Sequence, residues 1–448
     1  MEPAVTSSHT APAPCQWFSL LASLVDPRSA PRLARLFLGA LLARGRRTVT
    51  SWIRAVGLGD DYKPCYTTVA AAGKRSDLVA ARLAHAVVKP LVAHDSRLTL
   101  LVDDTPTPRY GPHVQGAGVH HNPTPGPAGS PFVYGHVWVV LGLLVRHARW
   151  GVTALPLLAR LYIRQKDLPK IDAKHRPEFR TKLEFAVELL RWAVAWLKHW
   201  GKPLWVVADG AYAKAAFLKP MKSLGVTVVS RLRKDSALCT VPGPRPAGSR
   251  GRPRVYGPQR ISLAKRAGQR RGWTQATFNL YGKPTEKTFK TFVATWRPAG
   301  GAIRVVLVDE PTGWVAFFCS DSTASVADVL EAVADRFSLE TAFRDVKEIV
   351  GAGQQQVRFV WANVGAFHLC LWTFVMTEAW AWRRGESELV GHRVASPWDD
   401  EPRRPSHADK RRAWTRELLG EEIRAALRIG ASESEIAATA ERLLDLAA

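Results

Sequence analysis

A small set of acids and bases is spaced as phosphodiester chemistry would need. Asp103 and Asp104 follow the apolar run Leu98-Thr-Leu-Leu-Val102, Asp209 follows the apolar run Leu204-Trp-Val-Val-Ala208, and Glu340 lies within Arg336-Phe-Ser-Leu-Glu340-Thr-Ala-Phe-Arg-Asp-Val-Lys347. A short apolar run that stops abruptly at a carboxylate reads as a buried strand delivering that carboxylate at its C-terminal end. In an open α/β sheet, groups at the carboxyl ends of neighbouring strands converge on one crevice. Acids gathered there repel one another unless divalent cations lie among them. Oxygen donors select Mg²⁺ or Mn²⁺, and two such ions about 4 Å apart can clamp the attacking and leaving oxygens of a phosphodiester. Taken singly, each Asp reads equally well as a helix cap.

The third block has a helical period. At about 100° per residue, Arg336, Glu340 and Lys347 share a polar stripe, and Leu339, Phe343, Val346 and Val350 form the adjoining core face. Glu340 sits at the shoulder of that face, where packing can hold it while it reaches a cleft. An ordinary amphipathic helix with an Arg336/Glu340 surface pair shows the same pattern.

The elements that must position these residues alternate between strand and helix, as an α/β sheet does. Further strands are expected over Phe132 to Val145, Val152 to Leu161 and Gly225 to Ser230, with helices over Thr181 to His199 and about Tyr212 to Leu224. Between about Lys234 and Ala324 the character shifts. Pro242 to Gly272 holds nine Arg/Lys and no acid, and strand-like runs follow at Phe289 to Trp296, Ile303 to Val308 and Trp314 to Cys319. This reads as a basic, β-rich insertion, after which Ser325 to Asp328 resembles a capping box opening the Glu340 region.

At the N-terminus, residues 1 to about 14 are Pro-rich and expected to be disordered. Helices are expected over Arg32 to Ala43, over a short stretch capped by Thr48 and ended by Gly57, and from about Ser76 to Val92. Arg46, Arg47 and Arg54 near the turn give this region a helix-turn-helix flavour, although three packed helices without a DNA role fit the spacing equally well. Trp361 to Trp382 is very apolar but contains Asn363, His368 and Glu378, so it reads as a buried helix and not a membrane span. A charged linker to about Pro405 and two helices, Arg411 to Ile429 and Ser432 to Ala447, end the chain. The resulting division is 1–95 helical, 96–233 first part of the catalytic core, 234–324 insertion, 325–385 end of the core, and 386–448 linker and helices.

Composition narrows the partners. The 448 residues carry 63 Lys+Arg against 39 Asp+Glu, a formal charge of +24, which points to a polyanion. Seventeen Trp set the chain apart from ribosomal or histone-like proteins. Five scattered cysteines without a Cys-x-x-Cys pair argue against a zinc finger or a disulfide framework. A cytoplasmic protein without a signal peptide or membrane span is expected. His120, His121 and His136 make a poor zinc set, and neither a phosphate loop nor a Gly-x-Ser-x-Gly elbow occurs.

Together, Asp104-Thr105, Val-Ala-Asp209-Gly-Ala-Tyr212 and Arg336-x3-Glu340-x6-Lys347 resemble the three catalytic blocks of the DDE transposases of bacterial insertion sequences. The resemblance spans about residues 98 to 358 and is nearest to the group with a Tyr-x2-Arg-x3-Glu-x6-Lys signature. It implies an RNase-H-like α/β core with a β-strand insertion before the glutamate helix, and cut-and-paste movement of DNA. It further implies that Asp104, Asp209 and Glu340 hold two Mg²⁺ or Mn²⁺ ions while Arg336 and Lys347 contact phosphate. The implied partners are double-stranded DNA, both terminal inverted repeats and target, and a second copy of the chain, with residues Arg411 to Ala447 as candidate subunit contacts. Two departures stand out. The signature tyrosine falls on Val333, and the first block offers two adjacent acids. Asp104 is favoured because it directly precedes Thr105, with Asp103 as the alternate; neighbouring strand residues face opposite sides, so only one faces the metals. Separately, Arg250-Gly-Arg-Pro-Arg254 looks like an AT-hook core, whose Arg250, Arg252 and Arg254 would lie in a narrow minor groove, or else a generic phosphate-binding loop. A non-cutting DNA-binding derivative and a structure-specific nuclease of the same fold are the alternatives.

Overall fold

The computed structural model describes residues 14–122, 129–245, 248, 250–391, 393, 404–427 and 432–447. The N-terminal segment read as disordered and about half of the stretch read as a linker before Pro405 lie outside the described residues, while the described part of that stretch holds a short helix, Glu386–Val390. The chain divides into two compact units, Leu91–Glu348, and Met1–Pro90 together with Ile349–Ala448. Residues 349–385, grouped with the core in the sequence reading, thus fall in the helical unit.

The Leu91–Glu348 unit is built on one twelve-stranded sheet. Its strands are β1 (Leu98–Pro108), β2 (Gly118–His121), β3 (Phe132–His147), β4 (Gly151–Tyr162), β5 (Leu204–Ala208), β6 (Thr227–Leu232), β7 (Leu238–Cys239), β8 (Arg260–Ile261), β9 (Thr274–Leu280), β10 (Lys283–Trp296), β11 (Gly301–Val308) and β12 (Val315–Cys319). β1, β3 and β4 form an antiparallel meander, and β5 and β6 then run parallel to β1 on its other side. That order, with helices after β4 and β5, is the RNase-H-like core. The insertion does not stand apart from it. β12 pairs antiparallel with β6, and β11, β10, β7 and β8 follow in order, so the insertion extends the same sheet.

Apolar runs become buried strands where both faces are covered. β5 is buried along its whole length, and β3 from Gly135 to Val145. β1 departs from expectation: it does not end at Val102 but runs through both acids to Pro108. The cause is its antiparallel partner, since β3 pairs with β1 as far as Pro108↔Gly135, whereas β5 stops after Val102↔Ala208. From Asp103 onward the β5-facing edge of β1 therefore has no ladder. Arg109 N–H donates to Tyr134 O on β3, so alternate residues Pro106 and Pro108 present their missing N–H to the vacated edge, where no donor is needed.

The helix Lys182–Leu197 starts at a capping box formed by Thr181 and Glu184. The predicted Glu340 helix is also divided. Val326–Asp335, capped by Ser325 and Asp328, and Phe337–Asp345 meet at Arg336, and Val346–Val350 continues as a π turn. Lys347 therefore lies past the α-helix, and its position on the polar stripe does not follow from the 100° spacing.

The helical unit contains helices Pro14–Ala22, Ala30–Leu42, Val49–Ala55, Tyr62–Lys74 and Ser76–Leu83, and later Val360–Ala381, Glu386–Val390, His407–Ala426 and Glu433–Ala447. Thr48 caps the third of these through Ser51 N–H, while Tyr62–Lys74 was not anticipated. Val360–Ala381 is long and apolar enough to cross a membrane, yet 89% of its most apolar window is buried within the protein. Its polar members are satisfied inside. Glu378 takes His407 Nδ1 at 2.8 Å and Lys410 Nζ at 2.5 Å, tying Val360–Ala381 to His407–Ala426. Lys410 and His407 hold the buried Glu378 carboxyl down at about 2, against the opposing effect of burial.

Tyr62–Lys74 and Val360–Ala381 cross at glycines. A Cβ on Gly365 would lie 1.8 Å from Val69 O, and one on Gly73 would lie 2.2 Å from Trp361 O. Both obstacles are backbone, so neither can swing away. Gly365→Ala is expected to destabilise the helical unit by about 3 kcal/mol, read as a lower urea midpoint, whereas Gly268→Ala, with nothing within 4 Å of the added methyl, should leave the midpoint unchanged.

Candidate active site

The parallel register of β1 and β5 sets the site. Val102 pairs with Ala208, so Asp103 on β1 and Asp209, the first residue past β5, both directly follow the last paired level, near enough for the Asp209 charge to act on Asp103. Opposite residues on paired strands share a face. Leu101 pairs with Gly142, and a Cβ on Gly142 would meet Leu339 Cδ1 at 3.2 Å. The face carrying Leu101, Asp103 and Thr105 is therefore the one the Glu340 helix covers. Contacts agree: Arg336 donates to Asp103 Oδ2 at 2.5 Å, and Lys347 Nζ lies 3.2 Å from Thr105 Oγ1.

Arg336 is the hub. The same guanidinium reaches Glu340 Oε1 at 2.9 Å, so one cation joins an acid of β1 to the acid of the helix. The surface pair foreseen for an ordinary amphipathic helix exists, but Asp103 is its third member. Asp103 is the most desolvated of these acids, and its Oδ1 accepts the Asp104 N–H on the vacated strand edge at 2.8 Å. Burial pushes its carboxyl up to about 6, with Arg336 opposing and the neighbouring Asp104 and Asp209 adding to the rise.

Asp104 points to the opposite face. There Lys182 Nζ, at the start of the helix after β4, lies 2.6 Å from its Oδ2, and the Tyr212 hydroxyl stands 3.4 Å from Oδ1. Lys182 also lies 5.8 Å from the centre of the Tyr162 ring. Asp209 caps the short turn Gly210–Tyr212 by accepting from Ala211 N–H at 3.3 Å, and this turn buries Tyr212. Burial, followed by the charges of Asp104 and Asp103, holds the Tyr212 phenol far above its ordinary range. Burial also lowers Lys347, against the pull of Glu348.

The chain thus gathers Asp103, Asp104, Asp209, Arg336, Glu340 and Lys347 around the level at which β5 ends. Arg250, Arg252 and Arg254 lie elsewhere, exposed in the loop between β7 and β8. Lys182 escaped the sequence reading, although the helix that carries it was expected from Thr181; Tyr212 was quoted as the end of the Asp209 block, but its reach to Asp104 was not foreseen. Phe337, opening the Glu340 helix, is also exposed and packs edge-on against Tyr281 at 6.2 Å. His136, weighed as a metal ligand, is a core residue: Arg109 Nε donates to its Nδ1 at 3.0 Å, and Gln115 O lies 3.0 Å from its Nε2.

A family model described as DDE superfamily endonuclease matches residues 21–297, more than half of the chain. The chain belongs to the DDE superfamily of endonucleases. The match takes in Asp103, Asp104, Asp209 and most of the insertion, and stops before Glu340. No curated protein matches the chain. DDE endonucleases act on DNA and generally use divalent metal ions. The donors here suit that chemistry, since Asp103, Asp209 and Glu340 offer hard oxygens and Asp103 is buried beside other carboxylates with one guanidinium to offset its charge. The set is not preassembled: among the described residues, no three His, Cys, Asp or Glu side chains group closely enough to hold an ion.

An acid whose pKa rises on folding contributes stability that is fully present below its ordinary value of 3.8 and lost as pH rises through about 6. In chelator, Asp103→Asn is therefore expected to unfold at a higher temperature than the wild type above pH 6, the gap closing by pH 4. Equal melting temperatures at pH 7.5 would show that Asp103 is not desolvated as described.

Proposed function

We propose that this protein is a DNA transposase that excises an insertion sequence and joins it to target DNA through metal-dependent phosphodiester cleavage and strand transfer. The observation that carries the reading is that Asp103 and Asp209 each directly follow the last paired level of β1 and β5, Val102↔Ala208, with Glu340 reached from Asp103 through Arg336. Asp209, Glu340 and one acid of β1 would hold the ions. Of the two candidates, the Asp-Thr motif favours Asp104 and the strand register favours Asp103, because Asp104 already has Lys182 on the other face. We take Asp103.

When bound, the Mg²⁺ or Mn²⁺ pair supplies a Lewis acid and an activated water or 3′-hydroxyl. The protein's own part is positional. β1 and β5 fix two carboxylates through backbone hydrogen bonds, and packing of Leu339 against Gly142 fixes the third. Lys347, held by Thr105, keeps a cation beside the acids for a phosphate oxygen. The exposed Arg250, Arg252 and Arg254 add sequence-independent affinity for the DNA backbone, and exposed Arg46 and Arg54 in the helical unit offer a second DNA contact. Two copies of the chain would pair the element's ends. A structure-specific nuclease without strand transfer would use the same acids, and inverted repeats flanking the reading frame separate the two.

Purified protein is expected to nick a plasmid carrying the flanking repeats in Mg²⁺ or Mn²⁺ and to stop in EDTA. Asp209→Asn and Glu340→Gln should each lower cleavage at least about 10³-fold. Asp103→Asn should do the same, while Asp104→Asn, which loses only the Lys182 pair, should leave measurable activity; the opposite order returns the role to Asp104. Replacing Arg250, Arg252 and Arg254 together by Ala should reduce the slope of log affinity against log salt by about 3, and an unchanged slope removes the loop from the DNA contact.

A further inference from the structure

Arg336 carries more than a phosphate contact. A guanidinium in a salt bridge with one surface carboxylate would be unremarked, but this one spans two acids that approach from different elements, at 2.5 Å to Asp103 and 2.9 Å to Glu340. Its side chain is 21% exposed and that of Asp103 18%, so the Asp103 limb of the bridge is largely shielded from water, while the Glu340 limb, with that side chain 44% exposed, faces solvent. The acids it joins are the ones the proposed metal chemistry needs, and among the described residues they do not form a ready-made ion site. Their repulsion is offset in this state by Arg336.

Resting on the metal-dependent reading above, we propose that Arg336 is an exchangeable counter-ion. It holds the Asp103 and Glu340 carboxylates in the cation-free protein, is displaced from them by the divalent ion, and is thereby released to bind a phosphate of the incoming DNA. Three consequences follow from charge balance. The ion must compete with a bidentate cation, so free protein binds it weakly. DNA that captures the displaced guanidinium lowers the cost of that displacement, so DNA and the ion tighten each other's binding, by the same factor in each direction. Premature metal loading, and with it cleavage away from a correctly docked DNA end, is thus disfavoured.

In the cation-free protein Arg336 acts through the two acids, so the decisive readout is metal affinity and not turnover. Mn²⁺ binding to the full chain is measured by titration calorimetry, and by the loss of the free-ion signal in electron paramagnetic resonance, with and without a short duplex bearing the terminal repeat. The wild type is expected to bind weakly alone and at least about fivefold more tightly with DNA, the lower end of ordinary coupling between sites. Arg336→Gln should bind Mn²⁺ at least about fivefold more tightly than the wild type without DNA and gain nothing from the duplex. Arg336→Lys keeps the charge but cannot bridge two carboxylates, and should fall between. If Arg336→Gln folds poorly, Arg336→Lys carries the test alone. Equal or weaker Mn²⁺ binding by these variants overturns the proposal while leaving the metal reading intact. Absence of binding by every form, or binding that Asp209→Asn leaves unchanged, overturns both.

Discussion

The pairing of β1 with β5 is the constraint on which the acidic end of this sheet depends. Parallel strands hold their partners at fixed level, and here the last paired residues, Val102 and Ala208, are each followed by an aspartate. Backbone hydrogen bonds, not side-chain packing, therefore set how near Asp103 and Asp209 lie, and folding brings their charges close whatever that costs. Everything around them answers that cost. Arg336 sits between Asp103 and the glutamate helix, Lys182 takes Asp104 on the far face, and Asp209 turns to cap the chain's exit from the strand. The abrupt end of β5 matters as much as its pairing. It leaves one edge of β1 without a ladder, allows two prolines into the strand, and gives Asp103 a backbone N–H to accept from.

Much of this was legible in the sequence because apolar runs and caps are local signals. β5 was readable to the residue as Leu204–Ala208, and the capping residues Thr48, Thr181 and Ser325 marked true helix starts. What failed to show was whatever depends on a distant partner. β1 looked as though it ended where its apolar run ended, since nothing near Asp103 reveals that β3 continues beside it. The helical region expected around Glu340 is divided at Arg336, the residue whose side chain reaches Asp103, 233 residues away. The side-chain period alone shows that Asp103 and Asp104 face opposite ways. Which of them faces Glu340 is fixed by the Leu101↔Gly142 register and by Leu339 lying over that glycine, neither of which one sequence displays. Lys182, 78 residues from Asp104, is invisible for the same reason.

The helical unit holds together differently. Its buried charges Glu378, His407 and Lys410 and its close glycine crossing are specific devices that resist substitution, since a lone buried charge or an added methyl facing backbone has no way to relax. By contrast, the sheet tolerates irregular strand lengths because one long strand, β3, accepts β2 and β4 on the same edge.

The insertion's place in the sheet limits how it can move. Because β12 hydrogen-bonds to β6, the strands β10, β11 and β12 of the insertion are joined by backbone to the plane that carries the aspartates. A lobe joined that way cannot hinge as an independent body without rupturing a ladder of backbone bonds. Any duplex laid along those strands would accordingly be carried at a set distance and twist from the acids, like work clamped to the same bench as the blade.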